Sequence, residues 1–345
     1  MLNRKSQIVK NETNYSLLGH NTFGIDARCS RFLEYGNEEE ARQVAAILRH
    51  NPTPYLIIGG GSNLLLTRDY EGTVVRSDIR GIAFSEDENA WMVRCGSGET
   101  WDDVVAETVK KGLPNLANLS LIPGDVGASV VQNIGAYGAE VCQFVAEIEA
   151  IEVASGEKRM ILPRDCHYGY RESRFKHEWK QQFLITHVTY RLDKAFQPSL
   201  AYGDIRQELE RRGIAAPTAS ELRQVIIDIR RAKLPDPREQ GNAGSFFMNP
   251  VVERHVFDAV VAQYPQMPHY TIDEDHEKIP AGWMIEQCGW KGKSLGRAGV
   301  HHKQALVLVN LGGATGAEIV ELCNAVRADV KRKFGIEIKP EVNVI

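Results

Sequence analysis

Apolar residues along this chain follow two spacings. Ala41, Val44, Ala45 and Leu48 recur at helical intervals and predict a helix over 38–50. Trp101, Val104, Val105 and Val109 do the same within 99–111, where Gly112 and Pro114 supply the stop. Leu222, Val225, Ile226 and Ile229 mark a third helix that ends before Pro235 and Pro237. The spacing also predicts helices over 252–263, 282–287 and 315–334, the last with Ile319, Leu322, Cys323, Val326, Val330 and Phe334 in one stripe. Short apolar or alternating runs predict strands at 55–58, 73–76, 91–95, 144–153, 183–192, 305–310 and 336–338. The clearest is 183–192, where Leu184, Thr186, Val188, Tyr190 and Leu192 alternate with Ile185, His187, Thr189 and Arg191. A polar, proline-containing stretch between Asp193 and Ser220 reads as the boundary between an N-terminal α+β unit and a C-terminal α/β unit.

A length of 345 residues is consistent with two domains at roughly 150 residues each. Lys and Arg total 41 against 45 Asp and Glu, a formal charge of −4, which argues against a nucleic-acid grip driven by bulk charge. Runs such as Leu306-Val307-Leu308-Val309 fall far short of the ~20 residues needed to span a bilayer. The opening from Met1 to Asn14 is polar and lacks the apolar segment of a secretion signal. The expectation is a cytoplasmic, monomeric protein with no membrane insertion and no nucleic-acid partner. Six cysteines, none within three residues of another, read as reduced thiols, and the adjacent His301 and His302 do not make a metal site, so none is expected.

Two glycine-rich stretches carry the candidate chemistry. Gly59-Gly60-Gly61-Ser62-Asn63 follows a buried strand. The second runs Pro123-Gly124-Asp125-Val126-Gly127-Ala128 and continues to Gln132-Asn133-Ile134-Gly135-Ala136-Tyr137-Gly138. Missing side chains let a backbone approach phosphate oxygens, and successive N–H groups form anion-binding concavities. A Rossmann reading fails because Leu64-Leu65-Leu66 stands where the spaced third glycine belongs. A P-loop fails because no Gly-Lys-Ser/Thr occurs.

These two loops resemble the flavin-pyrophosphate loops of the vanillyl-alcohol-oxidase (PCMH) type FAD domain. Tyr170-Arg171-Glu172-Ser173-Arg174-Phe175-Lys176, Asn242-Ala243-Gly244-Ser245-Phe246-Phe247-Met248-Asn249-Pro250 and Pro340-Glu341-Val342 narrow the likeness. Together, in this order, they resemble the UDP-N-acetylenolpyruvoylglucosamine reductase family over nearly the whole chain. Leu200-Ala201-Tyr202-Gly203-Asp204 is similar to the substrate-covering loop of that family's longer branch. The resemblance implies an α+β fold: an FAD domain over 21–195, with a subdomain to about residue 78, and an α/β substrate domain over 215–345. It implies non-covalent FAD, NADPH as hydride donor, a UDP-sugar enolpyruvyl ether as substrate and UDP-N-acetylmuramate, a peptidoglycan precursor, as product.

The implied reaction adds hydride to the β-carbon of an enol ether conjugated to a carboxylate, so charge develops at the α-carbon and spreads into the carboxylate. Arg171 suits that charge, because its guanidinium is permanently cationic and presents a fork of donors. By resemblance Ser245 gives the proton, and Glu341, if protonated, adds a donor beside Arg171. The resemblance carries Gly59, Gly60, Gly61, Ser62, Asn63, Pro123, Gly124, Gly127, Ala128, Gln132, Asn133, Gly135 and Ala136 to the cofactor. It carries Tyr137, Tyr202, Lys233, Asn249 and Gln304 to the substrate. Singly, Arg171 reads as a surface ion pair, Ser245 as a turn residue and Glu341 as a solvated carboxylate. Met248 and Asn343 stand where the family often has Lys and Arg, a departure that bears on uridine or phosphate affinity. Another flavin oxidase or dehydrogenase on the same domain, and a non-catalytic nucleotide-sugar binder, remain the alternatives.

Overall fold

A computed structural model describes residues 10–51 and 53–345; most of the polar opening, up to Val9, lies outside them. The chain forms two compact units. The first comprises residues up to Tyr15, Cys29–Gly60 and Tyr70–Ala232, and the second Ser16–Arg28, Gly61–Asp69 and Lys233–Ile345.

In the first unit, strands Lys10–Ser16, Arg28–Tyr35, Tyr70–Ser77 and Tyr55–Ile58 lie in that order in a four-stranded sheet. Tyr70–Ser77 runs parallel to both of its neighbours. Helix α1, Glu38–His50, begins where the Asn37 side chain accepts the Glu40 N–H. Its apolar face, Ala41, Val44, Ala45 and Leu48, buries against Leu33, Tyr35, Val75, Ile151 and Leu184. A five-stranded antiparallel sheet follows, in the order Lys158–Ile161, Val145–Glu152, Phe183–Asp193, Ala90–Gly96, Ile82–Glu86. Helices α2, Trp101–Lys110, and α3, Val126–Gln132, join its core.

Trp101 is the largest side chain in that core. It is fully buried, stands edge-on to Tyr190 at 5.6 Å and donates its indole N–H to the Leu119 carbonyl at 2.9 Å. Trp101→Ala should therefore cost about 3–5 kcal/mol, read as a lower urea midpoint with an unchanged m value.

The stretch between Asp193 and Ser220 is not bare linker. It carries α4, Gly203–Arg212, and the first unit continues through α5, Ala219–Lys233, to Ala232. Arg223 on α5 holds Asp102 on α2 with contacts of 2.6 and 2.9 Å.

The second unit is built on α6, Arg254–Val261, α7, Ala281–Gln287, and α8, Gly316–Phe334. Thr315 and Glu318 form a reciprocal cap at the start of α8. That helix lies on the sheet Ser294–Leu295, Ala298–Val300, Leu308–Asn310. A second sheet has the order Val251–Glu253, His276–Lys278, Tyr270–Thr271. The early segments belong here through the backbone: Asn343–Val344 pairs in parallel with Leu64–Leu65, and Asn242 N donates to the Thr22 carbonyl at 3.0 Å.

Three expectations need correction. The helix predicted from residue 252 starts as strand Val251–Glu253 and turns helical only at Arg254, because Val251 and Val252 pair with Lys278 and Glu277. The strand predicted at 305–310 is confined to Leu308–Asn310. No strand forms at 336–338; Ile336 and Ile338 are buried as core residues, and ladder pairing resumes at Pro340, opposite Phe247.

Candidate functional site

In the first unit the two glycine stretches meet. A Cβ added to Gly59 would stand 2.8 Å from the Ala128 Cβ, and one on Gly60 would stand 3.1 Å from Asp125 Oδ1 and 3.4 Å from the Gly124 Cα. Only glycine allows this approach. Pro123 is exposed at its rim, Gly127 packs against Ser97, and Gln132 closes α3. The result is a close meeting of two backbones of the kind a pyrophosphate cradle needs, so Gly59, Gly60, Gly124 and Ala128 suit the pyrophosphate of FAD.

Asn133 ends α3 in the left-handed region, at φ 47°. It is fully buried, and its amide is committed within the protein. Nδ2 donates to the Gly169 carbonyl at 2.8 Å and to Glu140 at 3.1 Å, while Oδ1 accepts from Cys142 N at 3.2 Å. Its backbone is committed as well, the N–H to the Ser129 carbonyl and the carbonyl to Arg171. That bracket fixes the Arg171 loop. Arg171 itself has φ 58° and donates to the Gly135 carbonyl at 2.5 Å and the Asn133 carbonyl at 3.3 Å. Arg171 is thus held against the short hairpin of Gly135–Ala136 and Ala139–Glu140.

Tyr137 and Tyr202 come together edge-on at 5.6 Å. Asn118 holds both loops, donating to the Tyr137 carbonyl at 3.1 Å and the Ser199 carbonyl at 2.8 Å. Burial pushes the Tyr137 hydroxyl up, and the nearby Arg230 guanidinium partly opposes this.

Arg230 escapes the sequence reading. Burial pulls it below the usual arginine value despite Tyr137 and Asp102, and its buried Nε has no hydrogen-bond partner. The signal was present: Arg230 follows Leu222 and Ile226 at steps of four, so a cation sits on the apolar stripe of α5. Asp125 was read as part of a loop and no more, yet it is buried inside the cradle.

In the second unit Ser245 and Glu341 are brought close by backbone pairing. Glu341 N donates to the Phe246 carbonyl at 2.8 Å, Met248 N to the Lys339 carbonyl at 3.0 Å, and Phe247 bridges Pro340. Buried Phe246 and Phe247 anchor this pairing, whereas Ser245 is exposed just after Gly244, which turns the chain at φ 69°. Among the described residues the Ser245 hydroxyl has no hydrogen-bond partner. Asn63 joins from the glycine loop, donating to the Glu341 carbonyl at 3.3 Å and accepting from Asn343 N at 3.1 Å. Ser62 precedes it, and Gly61, at φ 67°, leaves no room for a side chain beneath the His20 carbonyl.

Asn249 and Gln304 face the start of α7. Asn249 Oδ1 accepts from Ala281 N at 2.9 Å, and Gln304 Oε1 lies 3.4 Å from a Cβ position on Gly282. Lys233 is exposed at the end of α5. All six cysteines are free thiols, and no group of three metal-ligating side chains occurs among the described residues. No helix among them is long and apolar enough to cross a membrane.

Comparison with known proteins bears on the two glycine-loop and C-terminal segments as families. Residues 30–159 match the family described as FAD binding domain, and residues 236–345 match the family described as UDP-N-acetylenolpyruvoylglucosamine reductase, C-terminal domain. The UDP-N-acetylenolpyruvoylglucosamine reductase of Bacteroides fragilis is 53% identical over 97% of this chain and 100% of its own length. That of Burkholderia ambifaria is 47% identical, with 95% of each chain covered. The crystal structure of the Thermus caldophilus enzyme shares the fold at a TM-score of 0.66, with 20% identity, over 97% of this chain and 98% of its own.

Proposed function

The chain belongs to the UDP-N-acetylenolpyruvoylglucosamine reductase family, and from this we propose that it reduces the enolpyruvyl ether of UDP-N-acetylglucosamine to UDP-N-acetylmuramate for peptidoglycan synthesis. NADPH is the proposed reductant, and the setting is the cytoplasm, with the enzyme acting as a monomer. The observation that carries the reading is full-length similarity at 53% identity to a reductase of that name. Two features support it: the glycine cradle, and the pairing that seats Ser245 beside Glu341.

FAD, which the Gly59-Gly60 and Gly124–Ala128 loops would hold, would supply the hydride-transfer chemistry between NADPH and the β-carbon of the enol ether. The protein's residues manage the charge and the proton that follow. Arg171 is already oriented by two carbonyls, so little reorganisation is needed when charge builds on the substrate carboxylate. Glu341, when protonated, gives that carboxylate a second donor. Ser245 Oγ delivers the proton to the α-carbon, which completes the addition of two hydrogens across the double bond. An α-carboxyl carbanion is basic enough to take a proton from a positioned alcohol. Tyr137 and Tyr202 close on the nucleotide sugar, and Lys233, Asn249 and Gln304 hold its diphosphate and uridine.

The test is NADPH oxidation that depends on the enolpyruvyl nucleotide, with UDP-N-acetylmuramate identified by mass. NADPH consumption coupled to oxygen alone would refute the assignment.

A further inference from the structure

Asp125 stands where the two glycine loops meet, with one carboxylate oxygen that lacks a hydrogen bond and only a long ion pair to Arg76. The residue is 8% exposed, and its Oδ2 is buried without a hydrogen bond. The Arg76 guanidinium lies 3.6 Å from Oδ2, but it is engaged by Glu34 at 2.9 Å. Arg80 bonds Asp78 at 2.7 Å and approaches Glu99 at 4.0 Å. Two guanidiniums are therefore shared by four carboxylates: Glu34, Asp78, Glu99 and Asp125. Neither Gly59-Gly60 nor α3 brings a charged side chain to this cluster. Oδ1 faces Gly60 where the two loops pack together.

We propose that Asp125 is a cofactor-anchoring residue that takes up one proton when the FAD pyrophosphate enters the cradle and then donates its carboxyl hydrogen bond to a phosphate oxygen. The inference rests on the flavin reading of the cradle and extends it. An ionised carboxylate is acceptor-only and repels a phosphate; the protonated acid is a donor. The free site is already poised for this, because burial pushes Asp125 up to about 6 against the pull of Arg76 and Arg80. A bound dianion pushes the same group further up, so cofactor and proton bind cooperatively. The sign follows: the bound state holds the proton more tightly, so FAD affinity is flat at low pH. It weakens by up to about tenfold per pH unit above Asp125's own value, until the complex itself deprotonates.

The test is dilution-driven flavin release from the full-length holoenzyme, read by flavin fluorescence from about pH 5.5 to about pH 8.5. The wild type should release progressively more FAD as pH rises. Asp125→Asn keeps a donor without the charge, so its release should be independent of pH and, at the alkaline end, about tenfold or more weaker than that of wild type. A pH-independent wild type, or an unchanged slope in Asp125→Asn, would overturn the role of Asp125 and leave the cradle standing. A protein that retains no FAD at any pH would overturn both.

Discussion

Ser245→Ala should leave flavin reduction by NADPH at the wild-type rate and slow reoxidation by the enolpyruvyl nucleotide about 10²–10⁴-fold, the usual worth of a positioned proton donor. The separation is expected because Ser245 is exposed and its hydroxyl bonds to nothing among the described residues. Its removal opens no buried cavity and orphans no partner, so stability should change by no more than about 0.5 kcal/mol. Anaerobic stopped-flow absorbance separates the two half-reactions. If both slowed together, Ser245 would be a structural turn residue; if neither slowed, the proton would come from elsewhere.

Arg171→Lys is expected to lower the sugar half-reaction about 10²-fold, equivalent to about 3 kcal/mol of lost transition-state stabilisation. Lysine keeps the charge but not the planar fork, and the fork lets one side chain hold the Gly135 and Asn133 carbonyls while still addressing a carboxylate. The effect should fall mainly on the rate of the chemical step, with flavin content unchanged. A variant that lost FAD in proportion to activity would make Arg171 a brace for the hairpin and nothing more. The positive φ of Arg171 fits the first view, since a non-glycine residue held there is over-determined by its surroundings.

Where one face of an element repeats cleanly, the sequence was enough. Helix α1 is legible at both ends because Asn37 caps it and its four buried residues keep strict helical spacing. Strand Arg28–Tyr35 was missed: Arg28, Arg31 and Glu34 interrupt its apolar face, and Glu34 is there to meet Arg76 on the neighbouring strand. Helix α3 was hidden by Gly127 and by Val126, Val130 and Val131, residues that propensity assigns to loops and strands. The assignment of segments 16–28 and 61–69 to the second unit depends on pairings across hundreds of positions, such as Leu64 with Asn343, and no local pattern reports these. For the candidate site, resemblance singled out the glycine loops, Arg171, Ser245 and Glu341. It did not reveal that Asn133 spends its amide on the protein, nor that Arg230 and Asp125 are buried ionisable groups, because burial is a property of the folded chain.

The most direct test is the visible spectrum of the purified protein, recorded anaerobically before and after NADPH and again after the enolpyruvyl nucleotide. The account predicts a bound yellow flavin that NADPH bleaches and that regains its colour in proportion to added nucleotide. A protein that binds no flavin, or a bleached flavin whose colour returns with oxygen but not with the nucleotide, would contradict it.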